Sequence, residues 1–138
     1  MRESWEDEEL RLLIQKVARR IRNMRAGEDL SDSQLGVLFQ LEKSDQSPGE
    51  LAAYERVSPP SMNRTLNGLE QAGLVARHPA DDDARRVRVT LTAAGTAQIA
   101  ETRAIRTAWF SERLADLTPD ERRTLDAAIP VLRHLAES

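Results

Sequence analysis

The sequence predicts a mainly α-helical fold with one small β-hairpin, in which a helix-turn-helix and the hairpin behind it sit between N- and C-terminal helices. Three observations carry this. Apolar residues recur at spacings of three and four through most of the 138 residues, the mark of helices with one buried face. Several helix starts pair a Ser or Thr with a Glu or Gln three residues on, which satisfies two end amides reciprocally. Between Leu74 and Leu91 the pattern becomes β-rich and, in its second half, alternates with period two.

Leu10, Leu13, Ile14, Val17, Ile21 and Met24 define a first helix from about Trp5 to Arg25, stopped by Gly27. Ser31 with Gln34 opens a second, Asp32 to Lys43, and Ser47 with Glu50 a short third, Pro48 to about Glu55. Val57-Ser58-Pro59-Pro60-Ser61 reads as a turn with a serine cap, leading into a fourth helix from Pro59 to Ala72 closed by Gly73. Strands are expected over Leu74 to Arg77 and Val87 to Leu91, the latter with Val87, Val89 and Leu91 on one face and Arg88 and Thr90 on the other. Ala93 to Asp116 and Pro119 to Glu137 read as two long helices, the second opened by Thr118 with Glu121. Pro48 and Pro119 occupy first helical positions, where a missing N–H costs nothing.

Composition narrows the function. The chain has no cysteine, which removes disulfides, thiolate nucleophiles and cysteine-based zinc sites. Its two histidines, His78 and His134, have no partner at metal-ligand spacing, so no metal or cofactor is expected. No apolar run approaches the roughly 20 residues that span a bilayer, and the first residues, with Glu3, Glu6, Asp7, Glu8 and Glu9, reverse the charge of a secretory leader. A cytoplasmic protein without membrane contact is expected. No nucleophile with a base, metal constellation or phosphate loop is present, so the chain is not expected to be an enzyme. Net charge is −3; attraction to nucleic acid must come from a local patch rather than the whole surface.

The fourth helix and the hairpin supply such a patch. At about 100° per residue, Met62, Leu66, Leu69 and Gly73 share one inward face, and the opposite face presents Pro60, Arg64, Asn67, Gly68 and Gln71, flanked by Ser61 and Asn63. Arg pairs with guanine O6 and N7 and Asn with adenine N6 and N7, while serines and helix N-terminal amides suit phosphate oxygens. Gly68 would let this helix approach a groove floor. The hairpin tip carries Asp81, Asp82, Asp83, Ala84, Arg85 and Arg86, the usual place of a wing behind a helix-turn-helix. Asp83 and Arg85 are spaced to pair, with the guanidinium held outward to enter a minor groove; the plainer alternative is a surface ion pair that contributes about 0 to 1 kcal/mol.

The run Asp83-Ala84-Arg85-Arg86-Val87-Arg88-Val89-Thr90-Leu91-Thr92-Ala93-Ala94-Gly95 resembles the wing of MarR-family regulators, which reads Asp-x-Arg, a few β residues, then Leu-Thr-x-x-Gly. Val57 to Leu66 and Leu69 to Val75 resemble the same family's recognition segment. Ala84 departs from it, standing where a second basic residue is common, and Asp81 and Asp82 add negative charge beside the DNA; Arg86 and Arg88 are candidate compensation. The resemblance implies a single domain over 1–138, with a winged helix-turn-helix over about 31–92 and dimerisation helices over about 5–25 and 93–137.

It further implies a homodimeric, sequence-specific regulator, a repressor of a pseudo-palindromic double-stranded DNA operator. The DNA-contacting set is then Ser58, Pro60, Ser61, Asn63, Arg64, Asn67, Asp83, Arg85, Arg86 and Arg88. Family members also bind small phenolic or anionic effectors, for which Trp5, Arg11, Phe39 and Trp109 are the candidates here, although such residues also serve as plain core. The terminal helices, amphipathic and remote in sequence from the helix-turn-helix, need a partner surface for their apolar stripes, either a second chain or their own. The competing reading of the whole chain is a winged helix used for protein contact, its arginines meeting an acidic partner.

Overall fold

The computed structural model describes residues 4–27, 29–83 and 85–138. Glu3 and the wing residue Ala84 lie outside the described residues. In chain order the elements are α1 (Ser4–Arg22), α2 (Asp32–Lys43), α3 (Pro48–Glu55), α4 (Pro59–Gln71), β1 (Val75–Pro79), β2 (Val87–Leu91), α5 (Ala93–Ala115), α6 (Pro119–Ala127) and α7 (Ile129–Glu137).

Local cap chemistry sets most of the starts. Ser31 and Gln34 form the full reciprocal box, as do Thr118 and Glu121. Ser47 accepts from the Glu50 amide at 3.1 Å, but Glu50 does not reach back: its carboxylate turns instead to Arg88 at 3.4 Å. The expected box is therefore half made, because a guanidinium 38 residues away competes for the same carboxylate.

Long-range contacts and backbone chemistry move three boundaries. The first helix ends at Arg22 rather than Arg25, since the Arg106 guanidinium of α5 takes the carbonyls of Arg22 and Met24 at 3.2 and 3.0 Å, and Gly27 then turns the chain at φ 79°. The first strand starts at Val75 and continues two residues past Arg77, as His78 and Pro79 pair with Arg88 and Val87 in the antiparallel register. The single helix expected over Pro119 to Glu137 is two, broken at Ala128. Pro130 has no N–H to return to the carbonyl of Asp126, and its ring crowds that turn.

The core lies where α2, α3, α4 and the hairpin meet: Leu35, Leu38 and Leu41 of α2, Leu51 of α3, Met62, Leu66 and Leu69 of α4, Val75 and Val89 of the strands, and Ile99 of α5 are buried. Gln46, also buried, adds a one-residue bridge to the outer side of β2, its N–H and carbonyl both bonded to Val89. The fourth helix and the hairpin thus share one apolar base. Beyond it the chain packs thinly. No described residue of α1, α6 or α7 is buried, and Leu10, Leu13, Ile14 and Val17 stay exposed beside Ile129, Val131, Leu132 and Leu135.

One joint ties α4, the hairpin and α5 together. Gly73, at φ 76°, ends α4 and points the chain into β1. The Thr92 hydroxyl donates to the Gly73 carbonyl at 2.6 Å and accepts from the Gly95 amide at 3.1 Å, while the Thr92 amide bonds the Leu74 carbonyl at 3.1 Å. Gly95 packs so closely that a Cβ there would fall inside the contact distance of the Leu74 carbonyl oxygen. Gly95→Ala is expected to destabilise the chain by about 1–3 kcal/mol, read as a lowered midpoint in urea unfolding with an unchanged slope.

Candidate nucleic-acid interface

The fourth helix is amphipathic, with Met62, Leu66 and Leu69 buried and Pro60, Asn63, Arg64 and Asn67 exposed; Ser61 is half-buried, and Gly73, expected on the inward face, is exposed beyond the helix end because the chain turns there in the left-handed conformation. Gly68 is the exception on the outer face. A Cβ there would lie 2.8 Å from Gln34 Nε2, so Gly68 lets α4 pass close to the start of α2 and does not face a groove. The N-terminal amides expected to meet phosphate are also spent or missing. Pro59 and Pro60 have none, the Ser61 amide donates to Ser58 Oγ at 3.2 Å, and the Met62 amide bonds the Ser58 carbonyl. Anion contacts at this end of α4 must come from side chains.

In the hairpin the tip is closed by Ala80 N–H to Arg86 carbonyl at 2.9 Å and Arg86 N–H to Asp83 carbonyl at 3.0 Å. Asp83 Oδ1 accepts from both the Arg85 amide, at 2.9 Å, and the Arg85 Nε, at 3.3 Å. These two bonds, helped by the nearby Arg86 charge, hold the Asp83 carboxyl below its ordinary range. The Asp83–Arg85 pair is therefore present with the spacing expected, and the Arg85 side chain remains 92% exposed. Arg86 keeps only a loose 3.9 Å approach to Asp82. Arg88 differs from both: it is half-buried, bonded to Glu50 and to the Asp45 carbonyl, and braces the tip-side end of β2 against the start of α3.

Two arginines not among the sequence candidates belong to this surface. Arg56 caps α3 in the left-handed conformation, φ 56° and ψ 45°, its amide shared between the Ala52 and Ala53 carbonyls. The turn between the two helices needs that geometry and offers no glycine. Arg56 and Arg64 are the winged-helix arginines whose side chains have no hydrogen-bond, ion-pair or ring partner among the described residues. Arg77 stands opposite buried Val89 on the inward side of β1 and reaches α4, donating from Nη2 to Asn67 Oδ1 at 3.0 Å and to the Asn63 carbonyl at 3.4 Å. An arginine at an apolar position of the strand alternation was the one sequence signal for it.

The four effector candidates are spread out. Phe39 packs beneath Arg103 and Arg106, 5.5 and 5.3 Å from its ring centre, and lines a cavity of about 500 Å³ with Arg22, Lys43, Tyr54 and Glu55, whose carboxyl is pushed up by burial. The Arg20 and Arg113 guanidiniums lie 5.1 and 5.0 Å from the centre of the Trp109 ring. Arg11 bonds Gln15 and borders a separate cleft with Leu10, Ile14 and Leu135. Trp5 is exposed near the start of α1. Among the described residues no group of acidic and histidine side chains is arranged to hold a metal.

A family model described as "MarR family" matches residues 28–86. An uncharacterised HTH-type transcriptional regulator of Mycobacterium bovis is 35% identical over 130 residues, 94% of this chain and 91% of that one. An HTH-type transcriptional repressor of the same organism is 40% identical over 82 residues, which cover 56% of this chain and 59% of the repressor. A crystal structure of a Pseudomonas aeruginosa protein assigned as a transcriptional regulator superposes with a TM-score of 0.85 at 34% identity, covering 97% of this chain and 96% of its own. The recognition-helix architecture, the wing with its Asp83–Arg85 pair and these similarities lead to one conclusion: the chain belongs to the MarR family of winged-helix transcriptional regulators.

Proposed function

We propose that this regulator is a homodimeric repressor that places α4 in the major groove of each half of a pseudo-palindromic operator and the wing in the adjacent minor groove. The observation that carries this is the free Arg64 guanidinium on the exposed face of α4, on the same rigid unit as an outward Arg85 held by Asp83. Asn63, Asn67, Ser58, Pro60 and Ser61 complete the helix side, and Arg86 adds to the wing; Arg88 acts by bracing the tip-side end of β2 against α3. Arg56, unpaired and two residues before the cap of α4, is a phosphate contact in this reading and replaces the amides that the prolines remove. The relative named as a repressor supports that mode of regulation.

The dimer follows from the apolar side chains that the chain leaves open. Leu10, Leu13, Ile14 and Val17 of α1 and Ile129, Leu132 and Leu135 of α7 are large apolar side chains left exposed, the kind of surface that marks an interaction site. A second copy covers them and spaces the two recognition helices by one turn of DNA, about 34–36 Å. The Phe39 cavity, with Arg22, Lys43 and Tyr54 on its wall, suits a small anionic aromatic effector. The regulator acts in the cytoplasm, and no described helix is long and apolar enough to cross a membrane.

Sedimentation equilibrium at micromolar concentration is expected to give twice the chain mass of 15.5 kDa; a stable folded monomer would remove the architecture. Binding to the DNA upstream of the protein's own gene should weaken steeply with salt. On that DNA Arg64→Ala should cost about 1–3 kcal/mol per half-site and relax preference at one base pair, whereas Arg85→Ala should matter most where the operator flanks are A-T-rich. A salt-independent complex, or unchanged affinity in both variants, favours the protein-contact reading. Arg56→Gly should raise folding stability by about 1 kcal/mol by relieving the left-handed backbone. It should also weaken all operators alike and lower the salt slope by about 1.

A further inference from the structure

We propose that Arg77 decides which base Asn67 reads. A guanidinium carries five donors and no acceptor, so the amide of Asn67 can meet Arg77 only with its oxygen, and that oxygen lies 3.0 Å from Arg77 Nη2. The same Nη2 donates to the Asn63 carbonyl at 3.4 Å, one turn earlier on α4, which fixes the guanidinium from the helix side. From the strand side Arg77 is held in register opposite buried Val89, and its Nε is buried without a partner among the described residues. The helix and the strand that carry these groups both pack into the shared core through Met62, Leu66, Leu69 and Val75, and a guanidinium that swung out to solvent would lose both bonds at once.

The consequence is chemical. A free asparagine recognises adenine with both ends of its amide, accepting from N6 and donating to N7. On exposed Asn67 one of the two lone pairs of the amide oxygen is taken by Arg77, and the guanidinium charge beside it disfavours a second donor such as adenine N6, which leaves the NH2 as the favoured contact for a base edge. A donor pair matches guanine, whose N7 and O6 are both acceptors, and opposes cytosine, whose exposed N4 group is itself a donor. Arg77 is thus a positioning residue that turns an adenine-reading side chain into a guanine-reading one without touching the base. The inference rests on the DNA-binding reading of α4 and deepens it.

The test is selection from a random duplex pool with the full-length protein, followed by affinities on the recovered operator with each base substituted in turn. If the parent recovers no motif, the DNA-binding reading itself fails. Given a motif, Asn67→Ala locates the contact by flattening one position per half-site. At that position the parent is expected to take guanine over cytosine by roughly tenfold, and Arg77→Met, which frees the amide to turn, is expected to move the preference to adenine while other positions hold. Uniform weakening by Arg77→Met with guanine retained would reduce Arg77 to a strut between β1 and α4 and overturn the proposal, as would an Asn67→Ala variant that flattens nothing. Should Arg77→Met fail to fold, the parent's own preference decides, because a parent that takes adenine at the Asn67 position has an amide oxygen still accepting from the base, and that overturns the proposal.

Discussion

Everything that gives this chain a usable surface depends on the close approach of Gly95 to the Leu74 carbonyl. The end of α4, the start of β1, the end of β2 and the start of α5 converge there, and Thr92 bonds three of them through one hydroxyl and one amide. A larger side chain at position 95 would push α5 off the hairpin and take Ile99, which reaches the core from α5, with it. The direction of the recognition helix relative to the long α5 is therefore a matter of a few ångströms of backbone packing. Polar bonds at the joint add direction to what the apolar core supplies in energy.

What the sequence made legible is what is decided within a few residues. Caps at Ser31, Ser58 and Thr118, the apolar face Met62–Leu66–Leu69 and the Asp83–Arg85 pair all involve neighbours in the chain, and all appear as expected. What it hid is decided by partners far away. Arg106 ends α1 from 84 residues off, Glu50 leaves its helix cap for Arg88, and Asn67 is claimed by Arg77. Gly68 looked like part of a contact face because a helix wheel contains no α2. Pro130 is a different case: the break it causes was present in the local chemistry, but the apolar period on both sides of it reads through without interruption.

The electrostatic organisation explains how a chain of net charge −3 presents a basic face. Several winged-helix arginines have partners where they stand: Arg88 pairs with the Glu50 carboxylate and donates to the Asp45 carbonyl, Arg86 approaches Asp82 loosely, and Arg77 donates to an amide and a carbonyl, which accept its hydrogen bonds and leave its charge in place. Among the described residues, Arg56 at the turn and Arg64 on the exposed face of α4 have no side-chain partner at all. Asp83 reduces the field of the wing but fixes the direction of Arg85, an exchange of long-range attraction for geometry.

The paired prolines at the start of α4 have a consequence of their own. A helix whose first amides grip a phosphate is pinned along its axis, since backbone donors have no rotamers with which to adjust. Here Pro59 and Pro60 remove those donors and Ser58 occupies the next, so in the proposed complex the helix would have no fixed backbone point on the sugar-phosphate rail. Its depth and tilt in a groove are then set by long side chains and by the frame behind it. On the proposed DNA-binding reading, such a helix would tolerate duplexes of differing local shape, and a change at Arg56 of the turn or at Arg64 of α4 would retune its hold.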